Sequence, residues 1–439
     1  MHGLYQREIR VHSITAALEG LLAFLTDDLP DAPGSRIFDT PFPLNDAFDP
    51  LSWLSSQSAF PQFYWQHRNG QEEAAALGAV CHFSSLSDAA DCLQEAQADL
   101  RIWGLNAFEP RDGQLFLPRV EWRRHAGKAS LRLTLSSDVS LRDDAAAARE
   151  FLTTLQPSRP LPLLSGELKN ERHYPDRAGW VRLIQTATET IANGVLDKVV
   201  LARATDLRFA APLHAGAMMA ASRRVNLNCY HFLMAFDAQN AFLGSTPERL
   251  WQRQGTQLLT EALAGTVASH PDDKQADHLA DWLMQDDKNQ RENLLVVEDI
   301  CQRLQQDVSA LEVLPPQVVR LRKVQHLRRR IQAELQAPDD ARCLVQLQPT
   351  AAVAGLPREQ ARQFLEQHEP FTREWYAGSA GYLSLHQSEF CVALRSAKVS
   401  GDVVRLYAGA GIVRGSDPEQ EWQEITQKAA GLRSLLLPE

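Results

Sequence analysis

The 439-residue chain predicts an α+β fold. Three observations carry that prediction. Runs with strand character follow one another across turn-sized gaps, as antiparallel meanders do, and do not alternate singly with helices as in a doubly wound parallel sheet. Helical patterns bracket those runs. The composition, 44% hydrophobic and 23% charged, is that of a globular chain with a sizeable core.

The elements read in order as follows. Ile14, Leu18, Leu21, Leu22 and Leu25 share one helical face, so the N-terminal stretch is expected to form an amphipathic helix. It lacks the apolar core of a signal peptide, and no run approaches a membrane span. A cytoplasmic location without membrane contact is therefore expected. In "QFYWQHRNGQEEAAALGAVCHF", Asn69-Gly70 separates two strand-like runs, the signal for a hairpin with a type I′ turn. "KASLRLTLSS" alternates Leu131, Leu133 and Leu135, so one face of that strand should be buried. The Pro-rich "LQPSRPLPLLSGELKNERHYPDR" reads as a connection. Residues 1–160 thus form an N-terminal part, a helix plus antiparallel strands. Residues 161–439 form a second part, and both are expected to belong to one continuous globular unit.

The second part opens with a helix from Gly179 to Asn193, on which Val181, Ile184, Ala187 and Ile191 share a face. The strand "DKVVLARA", a helix near Ala215–Arg224 and a four-strand meander from Cys229 to Leu263 come next. Residues 271 to 306 are helical in pattern. "VRLRKVQHLRRRIQAEL" has strand character early and helical character later. "GLPREQARQFLEQH" reads as a turn and short helix, residues 381–413 as three strands, and "SDPEQEWQEITQKAAGLRSLLL" as a closing helix. Ser416 and Glu419 form a capping box at its start, with Pro418 in the first turn.

Net charge is −10, which argues against a nucleic-acid platform. The six cysteines are scattered without metal-site or disulfide spacing and are expected to be reduced thiols. No GxSxG, Walker A or zincin motif occurs, and "YAGAGIVRG" is a poor dinucleotide fingerprint because Ile412-Val413 continue a strand.

Several residues could carry chemistry. Lys198 stands at the mouth of an apolar strand. Its amine either reaches water or is held in a closed site, where loss of solvation would make it a usable base or a Schiff-base nucleophile. Glu248, in "FLGSTPERL", lies on a turn between strands, either as a functional carboxylate or as an exposed partner of Arg249 or Arg253. Ala264-Gly265-Thr266 follow a strand, and three small residues let a ligand approach the backbone. Glu292 shares a helix face with Leu295, Val296 and Asp299, where a hard cation is one way to satisfy its carboxylate. Glu421 and Glu424, with Lys428 one turn further, suit a solvated face, or a metal site if Glu292 faces them. Arg395, in the strand "CVALRSA", suits a carboxylate ligand. The backbone at Gly411 could bind another. His326 could move a proton.

Together these stretches resemble the chorismate-utilising enzymes, which include anthranilate, aminodeoxychorismate, salicylate and isochorismate synthases. The resemblance runs from about Asp197 to the C-terminus, through "KVVLAR", "FLGSTPERL", "EALAGT", "RENLLVVED", "QHL", "QPTAAVAGLPR", "YAGSAGYLS", "CVALRSA", "YAGAGIV" and "EQEWQEI". "PQFYWQHRNG" and "LRIWGLNAFEP" resemble the isochorismate-forming branch of menaquinone synthesis. The resemblance implies antiparallel sheets stacked as a sandwich with helices outside, and residues 161–439 as the chorismate-binding region. It implies Mg²⁺ held by Glu292 and Glu424, with Glu421 adjacent or acting through water. Tyr376, Arg395 and the Gly411 backbone would bind the enolpyruvyl carboxylate. Ala264, Gly265 and Thr266 would line the substrate site, and His326 would lie near the departing hydroxyl. Glu248 would be the general acid at the C4 hydroxyl. Lys198, which water-using members share, would be the base that activates water for attack at C2.

The implied reaction converts chorismate to isochorismate. A salicylate synthase, which also eliminates pyruvate, is the alternative. Ala264 stands where aminodeoxychorismate synthases carry a lysine nucleophile. "VVEDICQR" and "PTAAVAGLPR" depart from the runs of anthranilate synthases, so no glutamine amidotransferase subunit is expected. A Schiff-base lyase using Lys198 and a small-anion sensor without turnover are the readings from other classes.

Overall fold

The computed structural model describes residues 14–26, 28–43, 48–96 and 98–437. The start of the N-terminal stretch, residues 1–13, lies outside them. Helix α1 covers residues 14–24 and buries Ile14, Ala17 and Leu21, with Leu25 buried just beyond it. The described residues contain twenty strands, and every pairing between them is antiparallel.

The strands form two arms that share one antiparallel strand pair. Strands β3 (Glu72–Phe83) and β5 (Gly113–His125) pair along their length. From them the first arm runs one way through β6 (Lys128–Ser137) to β1 (Gly34–Phe42). The other way it runs through β2 (Gln62–Gln66), β9 (Tyr230–Ala235), β10 (Asn240–Thr246), β19 (Ser396–Ser400), β20 (Val403–Ile412) and β8 (Lys198–Phe209). Beside β8 lie β7 (Leu168–Tyr174) and the short β16 (Gly355–Leu356). The second arm leaves β5 through β4 (Arg101–Asn106) and continues with β17 (Ser379–Ser384), β18 (Gln387–Val392), β11 (Arg249–Gln254), β12 (Gln257–Ala268) and β15 (Val324–Leu335). Strands β13 (Val308–Val313) and β14 (Gln317–Arg320) close its far edge.

The arms stack because their inner faces are apolar at alternate positions. Phe63 and Trp65 of β2 point inward and meet Trp103 of β4, with ring centroids 5.4 and 6.2 Å away. Tyr382 of β17 lies 4.9 Å from Trp103. Aromatic residues of this size contribute most per position, roughly 2–3 kcal/mol each from burial. Tyr64, between Phe63 and Trp65, points the other way, into a second core covered by α1, α2 (Pro50–Ser55), α4 (Leu141–Thr154) and α6 (Ala215–Val225). A third core packs Val199, Leu201, Ala410 and Ile412 against α5 (Arg177–Ala192), α10 (Arg358–His368) and α11 (Pro418–Leu436). Helices α3 (Leu86–Ala96), α8 (Asp287–Leu304) and α9 (Asp340–Leu347) cover the central core on the side of the second arm, and α7 (Asp273–Gln285) precedes α8. The fold is thus α+β, with stacked antiparallel sheets and helices outside. None of the described helices is long and apolar enough to cross a membrane.

Several local expectations are corrected. The β2–β3 hairpin has a five-residue loop, 67–71, and only Gly70 of Asn69-Gly70 takes a positive φ (71°), so the turn is not type I′. The Asn69 carboxamide accepts the Gln71 N–H at 2.9 Å and stabilises the wider loop. The end of the Pro-rich connection is strand β7. The basic run 324–335 is strand throughout, because β12 and β13–β14 pair with both its edges and Ile331 and Leu335 alternate into the core. Residues 379–412 form four strands, not three, because residues 393–395 leave the ladder between β18 and β19. The meander from Cys229 to Leu263 is interrupted, since β10 pairs with β9 and β19 while β11 pairs with β12 and β18. The N-cap of α11 is Asp417, whose carboxylate accepts from Glu419 and Gln420 N–H, with Pro418 opening the helix. Ser416 instead accepts from Val413 N–H.

Candidate active site

The chain crosses between the two arms at two adjacent points. Pro247-Glu248 carries it from β10 to β11, and residues 393–395 carry it back from β18 to β19. The crossings are tied together, as Ser245 N–H donates to Arg395 C=O at 3.1 Å and Val392 N–H donates to Glu248 C=O at 3.0 Å. Arg395 sits in the left-handed region (φ 49°), where it turns the chain between arms and is not inside a strand as expected. Strands that switch sheets open a corner. Here the corner is a cavity of about 820 Å³ lined by β12, α8, β15, β20, α11 and both crossings.

Glu248, Ala264, Gly265, Thr266, Glu292, His326, Tyr376, Arg395, Gly411, Glu421 and Glu424 all line this cavity. Lys198 lies directly behind the lining. It is 1% exposed, and its Nζ donates to Glu292 Oε1 at 3.0 Å. The strand-mouth position does not reach bulk water.

Each element places its side chain for a local reason. Helix α8 starts at Asp286, which accepts from Asn289 N–H, and Asn289 Oδ1 accepts Thr266 N–H at 3.0 Å. Ala264-Gly265-Thr266 lie within β12, at a bulge, and not after the strand. Gly265 has φ 90° there, and a Cβ would meet Asn289 at 3.2 Å. One turn beyond Asn289, fully buried Asn293 donates to the carbonyls of Ala262, Ala264 and Leu327. These bonds fix the helix that carries Glu292. On β20, Gly409 and Gly411 share a face. A Cβ at Gly411 would come within 2.9 Å of Glu292 Oε1 and of Lys198 Cε, and one at Gly409 within 2.8 Å of the Tyr376 hydroxyl. The bare strand face is what admits the Lys198–Glu292 pair.

The electrostatics divide the carboxyls. Burial, then the negative charge of Glu261, pushes Glu248 up to about 8, so it holds its proton at neutral pH. Burial alone would also raise Glu292, but the charge and hydrogen bond of Lys198, with Lys428 and Lys288, hold it below the usual carboxylate range. Glu421 is pushed up to about 7 by burial and by Glu424 one turn away. Glu424 pairs with Lys428 at 2.6 Å, and Lys428 also donates to Gly409 C=O at 2.9 Å. Burial beside Arg395 and Lys428 keeps His326 well below the ordinary histidine range, hence neutral. Arg395 donates to His326 Nε2 at 2.8 Å. An arginine only donates, so Nε2 accepts and the proton sits on Nδ1, beside Thr266 Oγ1 at 3.0 Å. Tyr376 stacks on Tyr407 (4.9 Å, 7°), and burial pushes its hydroxyl up to about 12.

Glu292, Glu421 and Glu424 are oxygen donors of the kind a hard cation takes, and two of them draw on lysines for compensation. Among the described residues no three such groups converge into a closed metal cage. Magnesium, which keeps water ligands and takes one or two carboxylates, does not need one. The donor set fits Mg²⁺.

Reasoning from sequence missed the groups that hold the site. Asn289 and Asn293 looked like ordinary helix residues. Glu261, which raises Glu248, and Tyr407 under Tyr376 open the stretches "EALAGT" and "YAGAGIV" but receive no role there. Asn293 stands next to Glu292 within "RENLLVVED", and that placement was the signal available for it.

Residues 104–437 match a family model described as chorismate binding enzyme. The chain is 68% identical over 428 residues to the isochorismate synthase MenF of Escherichia coli strain K12, covering 97% of this chain and 99% of that protein. A solved structure of the menaquinone-specific isochorismate synthase MenF from Escherichia coli superimposes with a TM-score of 0.95 at 69% identity, over 97% of this chain and all of that one. Component I of anthranilate synthase from Streptococcus pneumoniae TIGR4 shares the fold at 19% identity, with a TM-score of 0.66 over 86% of this chain and 91% of that one.

Proposed function

The chain belongs to the family of chorismate-binding enzymes, and from that premise we propose that it converts chorismate to isochorismate as a Mg²⁺-dependent isochorismate synthase. One observation carries the reading. A carboxyl that keeps its proton at neutral pH, on the crossing between β10 and β11, and a buried lysine of β8 serve one cavity whose rim carries three glutamates.

The roles follow from chemistry. Lys198 takes a proton from the water that attacks C2. The ring double bonds shift, and the C4 hydroxyl leaves as water with the proton that Glu248 gives. One water enters and one leaves, so the product is an isomer. Arg395, held by neutral His326, and Tyr376 with the Gly411 backbone bind the enolpyruvyl carboxylate. Because the Nε2 lone pair of His326 is engaged, we assign it to orienting Arg395 beside the departing hydroxyl. Ala264, Gly265 and Thr266 border the ring. Glu292 and Glu424 would hold Mg²⁺, with Glu421 adjacent. When bound, the ion supplies positive charge that anchors the ring carboxylate.

The likeness to the menaquinone-specific enzyme supports a place in menaquinone formation. The reading includes a cytoplasmic enzyme that acts without nucleic acid, membrane or an amidotransferase subunit, in keeping with a net charge of −10.

The test is purified protein with chorismate and either Mg²⁺ or EDTA, products resolved by chromatography and mass. A Mg²⁺-dependent isomer of chorismate is expected. Salicylate with pyruvate would make the chain a salicylate synthase. Lys198→Ala should lower turnover at least about 100-fold yet leave chorismate binding measurable by calorimetry. Near-normal turnover in that variant would remove Lys198 as the base.

A further inference from the structure

The loop between β2 and β3 is nearly 180 residues from Glu248 in sequence, yet its Arg68 reaches the turn that carries that residue. Arg68 donates to both oxygens of Glu261, at 2.6 and 2.9 Å, and to the Pro247 carbonyl at 2.7 Å. Glu261 Oε1 also accepts the Arg249 N–H at 2.9 Å. The residues on both sides of Glu248 are thereby held by one ion pair, whose side chains are 13% and 1% exposed. A two-pronged arginine–carboxylate pair shielded from water keeps a narrow geometry.

The same pair sets charge. Glu261 is the negative group that, after burial itself, most raises Glu248, and Arg68 is its counter-charge. The other charged groups that act on Glu248 are Lys198 of β8, Arg395 at the second crossing and Lys428 of α11. Behind Arg68 and Glu261 lie Arg249, Tyr230, Glu389 and His67, joined by their own hydrogen bonds.

We propose that Arg68 is a positioning residue for Glu248, fixing the 247–249 turn and the Glu261 charge in the arrangement that presents the acid carboxyl to the substrate. This gives the N-terminal part of the chain a role in the reaction, and it rests on the acid role proposed for Glu248.

The experiment compares purified full-length Arg68→Lys, Glu261→Gln and Glu248→Gln with the parent protein. Steady-state kinetics with chorismate and Mg²⁺ run from about pH 6 to about pH 9, and circular dichroism checks the fold. Lysine keeps the charge but loses the fork, so Arg68→Lys should lower kcat about tenfold with KM within about twofold. Glu261→Gln removes the negative charge, so the alkaline limb of kcat should move to lower pH by about half a unit or more. Unchanged kcat and pH limb in both folded variants would overturn the proposal, as would changes confined to KM or stability. Loss of folded protein in both would also overturn it, leaving a purely structural clamp. If one variant fails to fold, the other decides. Should Glu248→Gln keep normal turnover, the acid reading falls and takes this proposal with it. An inactive Glu248→Gln beside normal Arg68→Lys and Glu261→Gln would leave the acid in place and remove only Arg68.

Discussion

Glu248 shows how one side chain trades stability for reactivity. An ordinary glutamate titrates near 4.5, and burial with Glu261 beside it moves this one to about 8. The folded state therefore binds the proton more tightly than the unfolded chain. The stability that this gives is full below about 4.5 and is lost as pH rises through about 8. Glu248→Gln keeps the shape and cannot ionise. It should abolish turnover and, at pH above about 8, be more stable than the parent by on the order of 5 kcal/mol. Thermal and denaturant unfolding at acid and alkaline pH would check this, and a stability difference that does not change with pH would refute it. Lys198 is a second buried polar group, and its Nζ is held in place by the 3.0 Å hydrogen bond to Glu292.

Strand β20 shows what an element contributes beyond its residues. Its place in the first arm is set by ten register pairs with β8, which any strand-forming sequence could make. Its glycines do something else. Gly411 leaves the space in which Lys198 and Glu292 meet, so Gly411→Ala should push the pair apart. The expected loss in kcat/KM is about 10- to 100-fold, with a stability change within about 2 kcal/mol. Kinetics set beside a melting curve would test it, and normal kcat/KM would mean the pair is not required in that geometry. In the sequence the glycines of β20 were legible only as backbone near Gly411 that could bind a carboxylate, not as a place where side chains come close, because the partners lie on β8 and α8.

At the scale of the molecule, the N-terminal part is built into the fold. β2 lies between β3 and β9, and β4 pairs with β17, so ladders join residues 62–66 and 101–106 to strands far along the chain. Trp65, Trp103 and Tyr382 then close one core across that junction. We propose that the chain is one unit on this ground. A fragment of residues 161–439 would bare the edges of β9 and β17 and the aromatic face between them. It should show no cooperative unfolding transition and no turnover. A folded, active fragment would show that the two parts are separable.

The sequence by itself determined most element types, the α+β class, and the residue set that gathers at the cavity. Periodicity, caps and motif order are local properties, and Glu248, Glu292, Arg395 and Glu424 each stand in a recognisable stretch. Only the tertiary structure decided that the basic run 324–335 is a strand, because pairing along both edges outweighs its helix-forming arginines. It also decided that Arg395 is a turn residue and that Asp417, not Ser416, caps α11. The protonation of Glu248 and the reach of Arg68 belong to it as well. Burial and charge proximity act through space, and the residues that supply them lie on strands remote in the chain.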